Sequence, residues 1–220
     1  MVASYRPAVR YGGTIVSVHE LCRALAARGH DVHVFTTSVD GPRDSDVPHD
    51  APVTIDGVHV WYFRSRRLRR LYYSPPLARA LASQISTFDV VHTHAIYLWP
   101  MWMAARASRK AGIPYVVSPR GMLERGLIDS RSTLMKKIWI GLIERRNLER
   151  AAAIHVTSTR ESTEARAFGF ELPDIFEIPN GVALDWDGSE VRHAGPPVGN
   201  REDLHPPRAP RTSEGARAAP

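Results

Sequence analysis

Short runs rich in valine, isoleucine and aromatic residues recur along this chain, and a stretch with apolar residues at helical spacing follows most of them. Strands are expected at 31–37, 58–63, 89–94, 115–118, 153–158 and 175–180. Helices are expected at 14–28, 76–86, 101–111, 132–150 and 159–168. Ile15, Val18, Leu21 and Leu25 make the apolar stripe of the first, and Gly29 stands just beyond its end, where glycine is favoured.

Strands that alternate with helices at this pace must lie parallel, because a parallel connection needs a crossover and a helix supplies it. The expected fold is therefore α/β, a single Rossmann-like doubly wound parallel sheet over residues 1–184. In such sheets a ligand sits beyond the carboxyl ends of the strands. Residues 185–220 differ in kind: Val191, Val198 and Leu204 are their only aliphatics, and six of the 17 prolines fall between Pro196 and Pro220. Such a segment cannot bury enough surface to offset its ordering entropy, so a disordered tail rich in proline, glycine and arginine is expected.

At 43% apolar and 24% charged residues the chain is too apolar to be disordered throughout. Cys22 is its one cysteine, so no internal disulfide forms and a reducing cytoplasm fits best. The amino terminus has no signal-peptide pattern, and the most apolar stretch, 95–105, is interrupted by Pro100 and too short to span a bilayer. A net charge of +6 points to an anionic partner without choosing among nucleic acid, phospholipid and phosphorylated substrate.

Three loops at strand ends could carry chemistry. Gly12 and Gly13 precede the first helix, where free backbone N–H groups favour an anion and a glycine allows its close approach; a plain tight turn is the competing reading. His92 and His94 lie on one face of their strand. A metal chelate would need further ligands, and no cluster at ligand spacing accompanies them, so no metal is expected. His92 reads as a packed histidine and His94, at the strand's end, as a group facing substrate. In the loop 118–123, Arg120 can fork onto phosphate or carboxylate and Gly121 frees the backbone, against a surface arginine in a turn. Neither a G-x-G-x-x-G nor a P-loop pattern occurs, so no dinucleotide cofactor is expected and an NAD-dependent oxidoreductase lacks its fingerprint.

Between Asp56 and Asp89 no acidic residue occurs, while Arg64, Arg66, Arg67, Arg69, Arg70 and Arg79 do. A solvated face is the default reading of such a run. Leu68, Leu71, Tyr72 and Tyr73 among the arginines would suit an anionic membrane surface. They would equally suit single-stranded nucleic acid, but no nucleic-acid-binding motif accompanies them and none is expected to bind. The stretch 132–150 reads as a helix whose apolar stripe packs on the sheet, with a membrane-facing role as the lesser reading.

The ordered run "YGGTIVSVHELCRALAARGHDVHVFTT", "FDVVHTHAIYLWP", "GIPYVVSPRGML", "ERRNLERAAAIHVTS" and "IPNGV" resembles the amino-terminal domain of family-four glycosyltransferases, retaining enzymes of two Rossmann-like domains (the GT-B fold). The resemblance implies transfer of a hexose-type sugar from a nucleotide-sugar donor to a glycan or lipid-linked acceptor. It implies that Gly12 and Gly13 lie near the donor diphosphate and the acceptor, that His94 lies in the acceptor cleft, and that Asn180 and Gly181 form the turn leading to the second domain. Arg120 stands where many relatives carry a histidine. The family's second domain supplies a glutamate pair and basic residues that neutralise the leaving diphosphate. Nothing after residue 184 resembles it, and the first strand reads as clipped, so a truncated chain, inactive alone, is expected. The competing expectation is a non-catalytic module that binds an anionic or lipid-linked ligand at the inner face of the membrane.

Overall fold

A computed structural model describes residues 1–8, 10, 12–49, 51–123 and 139–181. The first helix, α1, spans Gly13–Ala27. Strands β1 (His33–Thr37), β2 (Val39–Asp40), β3 (Arg43–Asp44), β4 (Val53–Ile55) and β5 (Val58–Phe63) follow. Then come α2 (Pro75–Gln84), β6 (Val91–His94), α3 (Trp99–Ala111) and β7 (Tyr115–Ser118). The remainder is a π-helical turn over Ile140–Glu144, α4 (Arg145–Glu149), β8 (Ala153–Val156), α5 (Thr159–Ala167) and β9 (Ile175–Glu177).

The strands form one group in the order β1-β5-β4 and another in the order β6-β7-β8-β9. Residues 1–4 lie between the groups. Ser4 bridges Thr37 in parallel, while Met1 exchanges backbone hydrogen bonds with His92 and His94 of β6. The sheet therefore reads β4-β5-β1, then residues 1–4, then β6-β7-β8-β9. The chain leaves its centre in one direction through β1 and β5 and in the other through β6 onward, which makes the gap beside residues 1–4 the topological switch point.

The expectation of a Rossmann-like parallel sheet is met, with one local departure. β4 runs antiparallel to β5, closed by Asp56 and Gly57 at φ 49° and 78°. Asp-Gly between two β-branched runs is a hairpin signal in its own right, because both residues tolerate the left-handed region. Successive residues of β1 serve opposite faces. Val34 packs with Val18 and Cys22 of α1, and Phe35 with Leu77 and Leu81 of α2. Helices thus cover both sides. Of the expected helix at 132–150 only 139–150 falls within the described residues; the expected tail, 185–220, lies outside them.

Candidate functional site

Every parallel strand ends at one edge of the sheet, and the loops there hold the residues singled out above. Arg120 follows β7 after Pro119 and sits at φ 56°, with Gly121 at φ 72° behind it. A non-glycine residue in the left-handed region is strained, and such strain persists where surrounding contacts enforce it. Those contacts are visible. The Glu161 carboxylate accepts from the Gly121 amide at 2.7 Å through one oxygen, and from the Thr157 amide and hydroxyl at 2.8 and 3.0 Å through the other. Glu161 stands in the first turn of α5, which Ser158 caps by accepting from the Glu161 amide at 3.3 Å.

With its backbone held, Arg120 reaches in two directions. Nη1 donates to Asn180 Oδ1 at 2.7 Å and Nη2 to His94 Nδ1 at 3.0 Å. An arginine can only donate, so His94 accepts at Nδ1 and keeps its proton on Nε2. His94 is almost fully buried. Burial first, then neighbouring positive charge, pushes its pKa well below the ordinary value, so it is neutral at pH 7. Burial also lowers the Arg120 pKa, opposed by the Glu161 charge. Arg120 Nε is buried and finds no partner among the described residues.

A second set of hydrogen bonds underlies this one. His155 Nε2 donates to Ile178 O at 2.9 Å, which in the neutral ring leaves Nδ1 to accept from the Ser118 hydroxyl at 2.8 Å. Ser118 Oγ then accepts from His92 Nε2 at 2.7 Å. The His92 ring packs on His94 with centroids 4.1 Å apart. Its pKa is lowered to about 3, by burial first and then by nearby positive groups.

The loop after β6 is fixed in the same manner. Ala95 and Tyr97 have φ of 80° and 63°. The buried Glu144, in the π-helical turn, accepts from the Tyr97 amide at 2.9 Å and from Trp139 Nε1 at 3.1 Å. Burial raises the Glu144 pKa against those hydrogen bonds.

His94, Arg120 and Asn180 are thus brought into direct contact, with Gly121 and Gly181 beside them. A cleft of about 450 Å³ opens next to the group, lined in part by Arg120, His155, Asn180, Gly181 and, from α1, Ser17 and Glu20. Gly12 and Gly13 share the edge, and no hydrogen bond among the described residues links them to the group. They are exposed at the start of α1, no side chain caps that helix, and a Cβ at either would meet nothing within 4 Å. Among the described residues no side chain caps these N–H groups, which are of the kind that hold anions.

Sequence reasoning missed Glu161, Glu144, Ser118 and His155. The spacing Ser158-x-x-Glu161 is a capping-box pattern that could have flagged Glu161. No local pattern marks the other three, each of which has a partner more than 20 residues away along the chain. The structure also groups Asp31, His33 and His59 at the opposite, amino-terminal edge of the sheet. Trp61 Nε1 donates to His33 Nδ1 at 3.1 Å, which puts the His33 proton on Nε2, toward Asp31. A metal-bound histidine wants an acceptor on its other nitrogen, so this set does not suit an ion.

Of the five basic positions proposed for a membrane surface, Arg64, Arg66, Arg67 and Arg70 are exposed. Arg69 is used internally, donating to Asp44 Oδ1 and to the carbonyls of Gly41, Arg43 and Ser65. No helix among the described residues is long and apolar enough to cross a membrane.

A family model described as a glycosyl transferase 4-like domain matches residues 12–181. No curated protein matches the sequence significantly. Among solved structures, sucrose-phosphate synthase from Thermosynechococcus elongatus is similar over 79% of this chain and 44% of its own, at 19% identity and a TM-score of 0.58. Anabaena HepE in complex with UDP and glucose is similar over 88% of this chain and 49% of its own, at 16% identity and a TM-score of 0.51. The same protein in complex with UDP-glucose gives 15% identity and a TM-score of 0.52. The chain spans about half the length of these proteins.

Proposed function

Because this chain belongs to the family of glycosyl transferase 4-like domains, we propose that it is the acceptor-side half of a glycosyltransferase of the GT-B kind. The reaction is transfer of a hexose-type sugar from a nucleotide-sugar donor to a glycan or lipid-linked acceptor. The observation that carries this reading is the Arg120 guanidinium. Both of its direct partners, His94 and Asn180, are neutral, and its Nε has none among the described residues. A half-buried cation whose direct partners are neutral suits an anion, and the developing charge on a leaving diphosphate is one. Anabaena HepE, solved with UDP and with UDP-glucose, supports a nucleotide sugar as that donor.

In this reading His94 offers its Nε2 proton as a neutral donor, Gly12 and Gly13 leave amides open to an anion, and Asn180 and Gly181 lie where the chain leaves the sheet. The exposed Arg64, Arg66, Arg67 and Arg70, with Leu68 and Leu71 exposed among them, support a cytoplasmic protein that rests on the inner face of a membrane.

A second reading, a non-catalytic binding module, is favoured by one observation: the two buried glutamates near the site, Glu144 and Glu161, are committed to backbone and indole N–H groups. Neither is left as a general acid, base or nucleophile. The 220 residues alone should therefore bind UDP but transfer no sugar.

Two measurements test this. UDP should perturb the NMR signals of Arg120 and His94 in the full chain, and the Arg120→Lys variant should bind it about tenfold more weakly, since an ammonium cannot make the fork. Identical binding by the variant would sink the site. Turnover by these residues alone with any of a panel of nucleotide sugars would sink the claim that a further half is required.

A further inference from the structure

Beyond the carboxyl end of β5 lies a second cleft, of about 720 Å³, within the range of small-molecule sites. Phe63, Tyr73 and Pro75 give it an apolar wall, and Arg64, Arg66 and Arg67 also line it. Among the described residues none that lines it is acidic, and these three guanidinium groups make no hydrogen bond or ion pair there.

The frame of this cleft is built. Arg69 ties the loop to Asp44, Gly41 and Arg43, and the fully buried Ser74 donates to Arg64 O at 2.8 Å. Leu68 and Tyr72 are held at φ 49° and 56° on either side of the turn that carries Arg69. One arginine of the run thus positions the loop, and the three that line the cleft remain open to a ligand. β5 and β7 point the same way in one sheet, so this cleft and Arg120 share an edge.

We infer that the cleft at Arg64, Arg66 and Arg67 binds the phosphate or diphosphate group of a molecule whose attached portion is apolar, and that this molecule is the acceptor. Guanidinium forks pair with phosphate oxygens, and the aromatic and proline wall takes the apolar portion. Only the word acceptor rests on the transfer reading above; the binding does not. The phosphate could come from a free soluble molecule or from a lipid headgroup.

Geranyl diphosphate, inorganic pyrophosphate and geraniol would be titrated into the full chain by calorimetry. Sedimentation with phosphatidylcholine vesicles containing phosphatidylglycerol would be run in parallel. The variant Arg64→Gln/Arg66→Gln/Arg67→Gln is compared with Arg28→Gln/Arg106→Gln/Arg166→Gln, which removes equal charge elsewhere. Geranyl diphosphate should bind one to one, more tightly than pyrophosphate or geraniol. The cleft variant should lose about tenfold or more, and the control nothing. Vesicle binding that falls with the same variant, together with geranyl diphosphate binding, assigns the lipid source; geranyl diphosphate binding alone assigns the soluble one. Equal loss in both variants, or vesicle binding without any geranyl diphosphate binding, would overturn the inference. If the triple variant melts early, Arg67→Glu alone replaces it, with the same expected loss. The titration contains no nucleotide sugar, so its failure leaves the Arg120 site to be judged by UDP binding.

Discussion

The guanidinium of Arg120 donates to His94 Nδ1 across 3.0 Å, joining the loop after β7 to the last residue of β6. That one bond decides which imidazole nitrogen keeps its proton. Nitrogen-15 NMR at pH 7 should therefore find His94 as the Nε2–H tautomer, and Arg120→Met should remove that preference. A His94 that remains wholly Nε2–H in the variant would show that another group fixes the ring.

His94, which is buried, and His92, which is half-buried, should make the fold sensitive to acid. The His92 pKa falls to about 3 in the folded chain, and that of His94 is also pushed down by burial. Their ordinary value is about 6.5, so below that pH the unfolded chain binds protons that the folded chain refuses. Their contribution is complete above about pH 6.5 and is lost as pH falls, for His92 toward 3 at about 1.4 kcal/mol per pH unit. Urea unfolding at pH 7.5 and 5.0 should show this loss, and His92→Gln should reduce it. A variant with the same pH dependence as the parent would remove His92 from the account.

Glu161 satisfies three donors from two segments, and Glu161→Ala would leave the Gly121 and Thr157 amides without it. A loss of about 2–3 kcal/mol is expected in chemical denaturation. UDP affinity should fall in the same variant at temperatures where it is fully folded, because the Arg120 loop loses its tether. Unchanged affinity would limit Glu161 to stability.

The two glycines at the start of α1 should separate geometry from function. Gly12, at φ 60°, should lose about 1 kcal/mol on change to alanine, although there is space for the added methyl. Gly13 is the first residue of the helix and should tolerate alanine in thermal melts. If its amide faces the donor, Gly13→Val should weaken UDP binding while the melting temperature holds. Full binding by Gly13→Val favours the plain turn.

Within the basic loop, Arg69→Ala should lower the melting temperature and Arg67→Ala should not. Arg69 donates to one carboxylate and three carbonyls, a set worth on the order of 1–3 kcal/mol, while Arg67 has no such partners. Equal melting of the two variants would remove the distinction between a framing and a free arginine.

Much of the fold could be read from local pattern. The strand at 58–63 and the one at 115–118 appear with their expected bounds, because β-branched and aromatic runs between turn residues leave few alternatives. The rule that ligands sit beyond strand ends points to the loops of Arg120 and His94, which the structure joins by one hydrogen bond. The Asp56-Gly57 hairpin and the Ser158-x-x-Glu161 cap carry equally local signatures. Arg69 was not legible at all: within the run 64–70 it differs from its neighbours only in where its side chain goes.

By itself the sequence determined the alternation of strands and helices, hence a parallel sheet, and with it the edge where a ligand would lie. Periodicity is a local property, and burial of one face enforces it residue by residue. Only the tertiary structure decided that Arg120 bonds to His94 and Asn180, 26 and 60 residues away. It also decided that Glu161 and Glu144 hold backbone while Arg64, Arg66 and Arg67 stay open. A charged side chain has the same local signature whether it meets a partner or water, and its role is settled by which distant segment the sheet brings to it.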